Sequence, residues 1–146
     1  MRSSILAALV LAITAAEASA GDIDLVGRWT CHVSTPDITA DSTTTYHPDG
    51  TLEAILSTSV HLGARTCTIG GTGDGRWTLE GTSLVETYSD LQFAPLTCRD
   101  ILPPQTVEAM RDRVMDGPMR ATLSDITATS FTKAHDDTAD ACARDD

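Results

Sequence analysis

Two tyrosines and a glutamate are the residues best suited to chemistry in this chain. Glu86 and Tyr88 lie two apart in Leu84-Val85-Glu86-Thr87-Tyr88, and Tyr46 closes the extended run Thr43-Thr44-Thr45-Tyr46. A carboxylate taken out of water holds its proton more tightly and can then act as a general acid or base. In extended chain the side chains alternate, so Leu84, Glu86 and Tyr88 share one face and Val85 and Thr87 the other. If that face turns inward, Glu86 and Tyr88 become polar groups in an apolar interior. The expectation is that Glu86 faces out, because an unpaired buried carboxylate is costly. Tyr46, Glu86 and Tyr88 are therefore the candidate ligand-binding residues, and no residue is assigned a catalytic role. An enzyme using Glu86 and Tyr88 in an enclosed interior is the reading that an inward phase would open.

Other chemistry finds little support. There is no G-x-S-x-G elbow and no H-E-x-x-H pair, which are the spacings that nucleophilic hydrolysis and zinc hydrolysis need. His32, His47, His61 and His135 are scattered through strand, turn, loop and tail, so no metal site is assigned. The run Gly70-Gly71-Thr72-Gly73-Asp74-Gly75 superficially resembles a phosphate-cradling loop. No Lys-Ser/Thr pair follows it and the next segment reads as a strand, so it is expected to be a hairpin tip, and no cofactor is implied. The acidic segment from Asp136-Asp137 to Asp145-Asp146 lacks the spacing and glycine of a calcium loop.

Cys31, Cys67, Cys98 and Cys142 contain no C-x-x-C spacing. Four well-separated cysteines in an exported chain read as two structural disulfides. Export itself is expected from the first residues: Arg2 precedes an apolar stretch over 5–16, and Ala18-Ser19-Ala20 forms a small-residue cleavage site. Residues 1–20 are read as a signal peptide, placing the mature protein in the periplasm or outside the cell. No later stretch is apolar for long enough to span a bilayer as a helix. A formal net charge of -11 disfavours nucleic acid and anionic membrane surfaces, both of them polyanions.

The elements that would hold these residues are mostly short strands. Trp29, Cys31 and Val33 alternate with Arg28, Thr30 and His32 over residues 25–33, so the tryptophan turns inward. His47-Pro48-Asp49-Gly50 and Glu80-Gly81-Thr82-Ser83 supply hairpin turns. Leu52, Ala54 and Leu56 form the buried face of the third strand and send Glu53 outward; residues 65–69 form a short strand, and Trp77 and Leu79 repeat the inward alternation. One helix is predicted over 104–116. Pro103-Pro104 opens it, Val107, Met110 and Val114 recur on one face, Glu108 and Arg111 can pair, and Gly117-Pro118 stops it. Strands over 119–123 and 126–133 follow. The pattern divides the 146 residues into a signal (1–20), one β-domain (21–134) and an acidic tail (135–146), mobile except where Cys142 ties it down.

These motifs resemble a known family. Gly27-Arg28-Trp29 is similar to the G-x-W opening strand of lipocalins and other calycins. Tyr46 with Asp49-Gly50-Thr51, followed by Gly75-Arg76-Trp77, Gly81 and Leu84, resembles the lipocalin-like domain of small exported bacterial proteins. The resemblance spans residues 25–133 and implies an all-β, mainly antiparallel, lipocalin-like barrel of about eight strands, with its short helix before the last two strands. In true lipocalins a long helix follows the last barrel strand. In such a barrel the loop bearing Cys98 and the exit bearing Cys142 share a pole, so Cys98–Cys142 with Cys31–Cys67 is the preferred pairing, although sequence alone admits all three connectivities. Function follows as an expectation: an exported, non-enzymatic protein that binds a small apolar molecule or a protein partner, with the helix over one barrel end. The alternative is an inhibitor or immunity-type protein whose acidic surface masks a basic enzyme.

Overall fold

A computed structural model describes residues 23–146; the expected signal peptide lies outside them. Eight antiparallel strands follow one another: β1 (Gly27–Ser34), β2 (Ile38–Tyr46), β3 (Thr51–Leu62), β4 (Arg65–Glu80), β5 (Ser83–Phe93), β6 (Met119–Ser124), β7 (Ser130–His135) and β8 (Thr138–Arg144). Helix α1 (Pro104–Met115) lies between β5 and β6. Each strand pairs with its neighbour in sequence, and β8 returns to pair with β1, so the sheet closes into a barrel. The expected all-β fold is thus present, in the up-and-down architecture to which lipocalins belong. No helix among the described residues is long and apolar enough to cross a membrane.

The count of eight is reached by different strands from those expected. Residues 70–75 are no hairpin tip; they run through the middle of the 16-residue β4. None of their glycines has a positive φ, whereas the turn glycines Gly50, Gly63 and Gly81 do. Their role is close approach. A Cβ on Gly73 would press on the Tyr88 ring, and one on Gly75 would collide with the Thr87 carbonyl oxygen. The glycine-rich centre of β4 thus leaves room for the Tyr88 ring to approach the backbone closely.

A second correction concerns the C-terminus. The segment expected to be a mobile acidic tail contains β8, the strand that closes the barrel. Asp140, Cys142 and Arg144 turn inward while Ala139, Ala141 and Ala143 stay exposed, so the strand carries few large apolar residues to betray it. Consequently three strands follow the helix, not two, and the barrel domain extends past residue 134. The last strands are also shifted: residues 126–129 form a connection and β7 begins at Ser130. On α1, Arg111 pairs with Asp112 at 3.2 Å, not with Glu108.

The disulfides join Cys31 to Cys142 and Cys67 to Cys98, overturning the preferred pairing of Cys98 with Cys142 and Cys31 with Cys67. That preference treated Cys142 as part of a tail leaving one pole. Within β8 it instead faces Cys31 directly across the β1–β8 seam, and Cys98, in the β5–α1 connection, is left to Cys67.

One pole of the barrel is filled. Trp29 is 1% exposed, its indole donates to the Leu25 carbonyl at 2.9 Å, and its ring packs against Phe131 with centroids 4.7 Å apart. The Arg144 guanidinium lies over the same ring at 4.5 Å, a cation–π contact, and donates to the carbonyls of Val26 and Asp24. Trp77 is half-buried beside this core, edge-on to Tyr46 at 5.3 Å.

Candidate functional site

Strand β5 positions the site through an irregularity. Asp74 pairs with Asp90 and Gly75 with Tyr88, which leaves Ser89 as an extra residue. Such a bulge resets the alternation: Leu84, Glu86 and Tyr88 turn inward before it, and Leu91 after it. Glu86 and Tyr88 therefore point into the lumen, and Tyr46 at the end of β2 is buried with them.

The structure joins two of them directly. The Tyr46 hydroxyl donates to Glu86 Oε1 at 2.6 Å, and Lys133 Nζ donates to Glu86 Oε2 at 2.7 Å. Tyr46 and Glu86 are each 1% exposed and Lys133 6%. A polar bar thus crosses the lumen from β2 through β5 to β7. The expectation that Glu86 faces solvent is wrong because its premise fails: the buried carboxylate is paired, and both of its oxygens accept charge-assisted or phenolic hydrogen bonds. Lys133 was missed in sequence. Its signal was present, since Phe131 and Lys133 are two apart on one strand face, but an inward lysine has no meaning until its acceptor is known.

Tyr88 sits beside this bar without bonding to it. Burial, and then the nearby Glu86 charge, push the Tyr46 and Tyr88 phenols above their ordinary range. The sign of the consequence follows from linkage. The unfolded chain gives up phenolic protons near pH 10 that the folded chain retains, so stability intact below that pH falls as pH rises above it, by up to about 2.7 kcal/mol per pH unit for two phenols. Because the chain has only these 2 tyrosines, tyrosinate absorbance near ~295 nm should appear together with loss of the circular dichroism of the barrel. Phenolate formation near pH 10 in a still-folded protein would contradict the burial of both rings.

Above Tyr88, at the pole opposite Trp29, the lumen opens into a cavity of about 250 Å³. Its walls are mainly apolar, with Val33, Leu56, Ile69, Leu91 and Phe93 from the strands and Met110 and Val114 from α1. The helix reaches this place because Val107 buries against the barrel and its i+3 and i+7 neighbours, Met110 and Val114, follow on the same face. The polar residues of its lining are Asp41, Ser42, Thr58, Tyr88 and Asp140. The four histidines are not brought together: His32 meets Asp41 at 2.7 Å, His47 lies near Glu53, His61 near Thr39 and Thr66, and His135 near Asp140 at 3.6 Å.

Neither a family model nor a curated protein matches this chain. Among solved structures, a lipocalin-like protein from Bacteroides uniformis is similar at a TM-score of 0.46 and 12% sequence identity, over 83% of this chain and 98% of that one. The fold class stands on the strand pairing itself.

Proposed function

We propose that this protein is an exported, non-enzymatic binding protein that holds a small, mainly apolar molecule in the cavity under α1. The observation that carries the reading is the cavity: about 250 Å³ of mainly apolar-walled space, in a barrel whose other pole is occupied by Trp29, Phe131 and Arg144. Open mouths of β-barrels are common ligand positions, and apolar cavities of about 150 Å³ already hold benzene. Of the three candidate residues Tyr88 lines the cavity, while Tyr46 and Glu86 are joined with Lys133 in the buried bar. Two disulfides support an oxidising compartment, the periplasm or the exterior. A protein partner, or a basic enzyme to be masked, would draw on the net charge of -11 alone; the mainly apolar concave space favours a small molecule.

Indole is a suitable first probe, followed by amide NMR of the full chain. Saturable shifts are expected at Tyr88, Leu91 and Val114. Filling the space with Ala40→Phe, from a half-buried wall position, should weaken indole at least about tenfold, as loss of roughly 1.4 kcal/mol of apolar contact requires. Absence of saturable binding by the unaltered protein would remove the basis of this function.

A further inference from the structure

The charges around the cavity define its ligand more narrowly. Among the described residues no lysine, arginine or histidine lines it, whereas Asp140 does. Asp140 lies on the inward phase of β8, set by the disulfide-bonded Cys142 two residues on, and its side chain is 18% exposed. Among the described residues neither of its carboxylate oxygens accepts a hydrogen bond. Its closest cationic candidate, His135 Nε2, is 3.6 Å away, outside hydrogen-bond reach, and that ring borders a separate cleft with Arg113 and Arg120 beyond Val114 and Met119. Lys133 is the cross-strand partner of Asp140, but its ammonium is already bonded to Glu86 at 2.7 Å. Among the described residues His135 is therefore the one cationic candidate within ion-pair distance of Asp140, and no side chain donates a hydrogen bond to its carboxylate.

A second observation points the same way. Tyr88 is 9% exposed, lines the cavity, and its hydroxyl has no hydrogen-bond partner among the described residues. This hydroxyl is therefore free to bond a polar group on whatever fills the space. Asp41, which also borders the cavity, supplies wall only: its carboxylate is turned to the outer face, 58% exposed, with His32.

We propose that the ligand is an apolar amine, its ammonium received by Asp140 with the Tyr88 hydroxyl beside it and its apolar body against Leu91, Phe93 and the helix. This rests on the cavity reading given above. The Tyr88 and Phe93 rings that line the space add faces on which a cation is held favourably, and the net charge of -11 raises the local concentration of cations. A carboxylate ligand meets the opposite field, since the nearby arginines lie in the other cleft.

Three probes of one shape test this on the full chain by isothermal titration at neutral pH: phenethylamine, 2-phenylethanol and phenylacetate. The amine is expected to bind at least about tenfold tighter than the alcohol, with phenylacetate weakest. Asp140→Asn should bring the amine down to the affinity of the alcohol, and Asp140→Ala serves the same purpose if the asparagine variant does not fold. An alcohol that binds as well as the amine overturns the amine assignment and leaves the cavity reading standing. An amine preference that survives both Asp140 variants overturns the role of Asp140. If none of the three binds, the cavity reading fails and this inference with it.

Discussion

Lys133→Ala is expected to lower the free energy of unfolding by about 3–5 kcal/mol, the usual consequence of removing one partner of a buried ion pair. Lys133 is 6% exposed and Glu86 1%, so the variant would leave a carboxylate far from water with only the Tyr46 hydroxyl to hold it. The loss comes from that stranded charge. It follows that removing both charges should be far less harmful than removing one. In the double variant Glu86→Gln/Lys133→Met, the glutamine still accepts from Tyr46 and the methionine fills the lysine's volume, so most of the lost stability should return. Urea unfolding of Glu86→Gln, Lys133→Met and the double variant measures the cycle, with Lys133→Ala beside them. A Lys133→Ala loss below about 1 kcal/mol, the range of exposed pairs, would mean that the bar across the lumen is open to solvent.

The disulfides give the second large effect. Cys31–Cys142 closes a loop with a sequence separation of 111 and Cys67–Cys98 one of 31. On the chain-entropy relation, replacing the first pair by alanines should cost about 5 kcal/mol and replacing the second about 4 kcal/mol. The order matters more than the values. Cys31–Cys142 also pins the seam between the first and last strands, where closure brings together the most distant parts of the chain and no hairpin turn holds the register. Its removal should therefore loosen β8 in hydrogen exchange as well as lower the urea midpoint, while loss of Cys67–Cys98 should free the connection leading to α1. A smaller loss from the Cys31/Cys142 variant than from the Cys67/Cys98 variant would contradict this ordering, and peptide mapping of the non-reduced protein checks the pairing directly.

Much of the architecture was legible residue by residue. Trp29 and Cys31 alternate with polar neighbours and are buried as that alternation requires. Pro48-Asp49-Gly50 makes the turn it spells, with Gly50 at φ 80 and the Asp49 carboxylate accepting from the Thr51 amide at 2.9 Å. Helix α1 ends one residue from its predicted limit. These features depend on sterics within a few residues, which the chain carries wherever it goes. The glycine run of β4 misled because glycine serves two ends, bending and close approach, and only the Tyr88 ring facing it distinguishes them.

What the sequence by itself determined was period, turn chemistry, the likeness of Gly27-Arg28-Trp29 to a calycin opening strand, and three residues worth watching. Tertiary structure alone decided that residues 138–144 close the barrel, that Cys142 meets Cys31, and that Glu86 can be buried. The reason is the same in each case. Alternation says that two faces differ but not which one is dry, and that choice belongs to partners far along the chain: Lys133, 47 residues from Glu86, and β1, which receives β8 only after every other strand has taken its place.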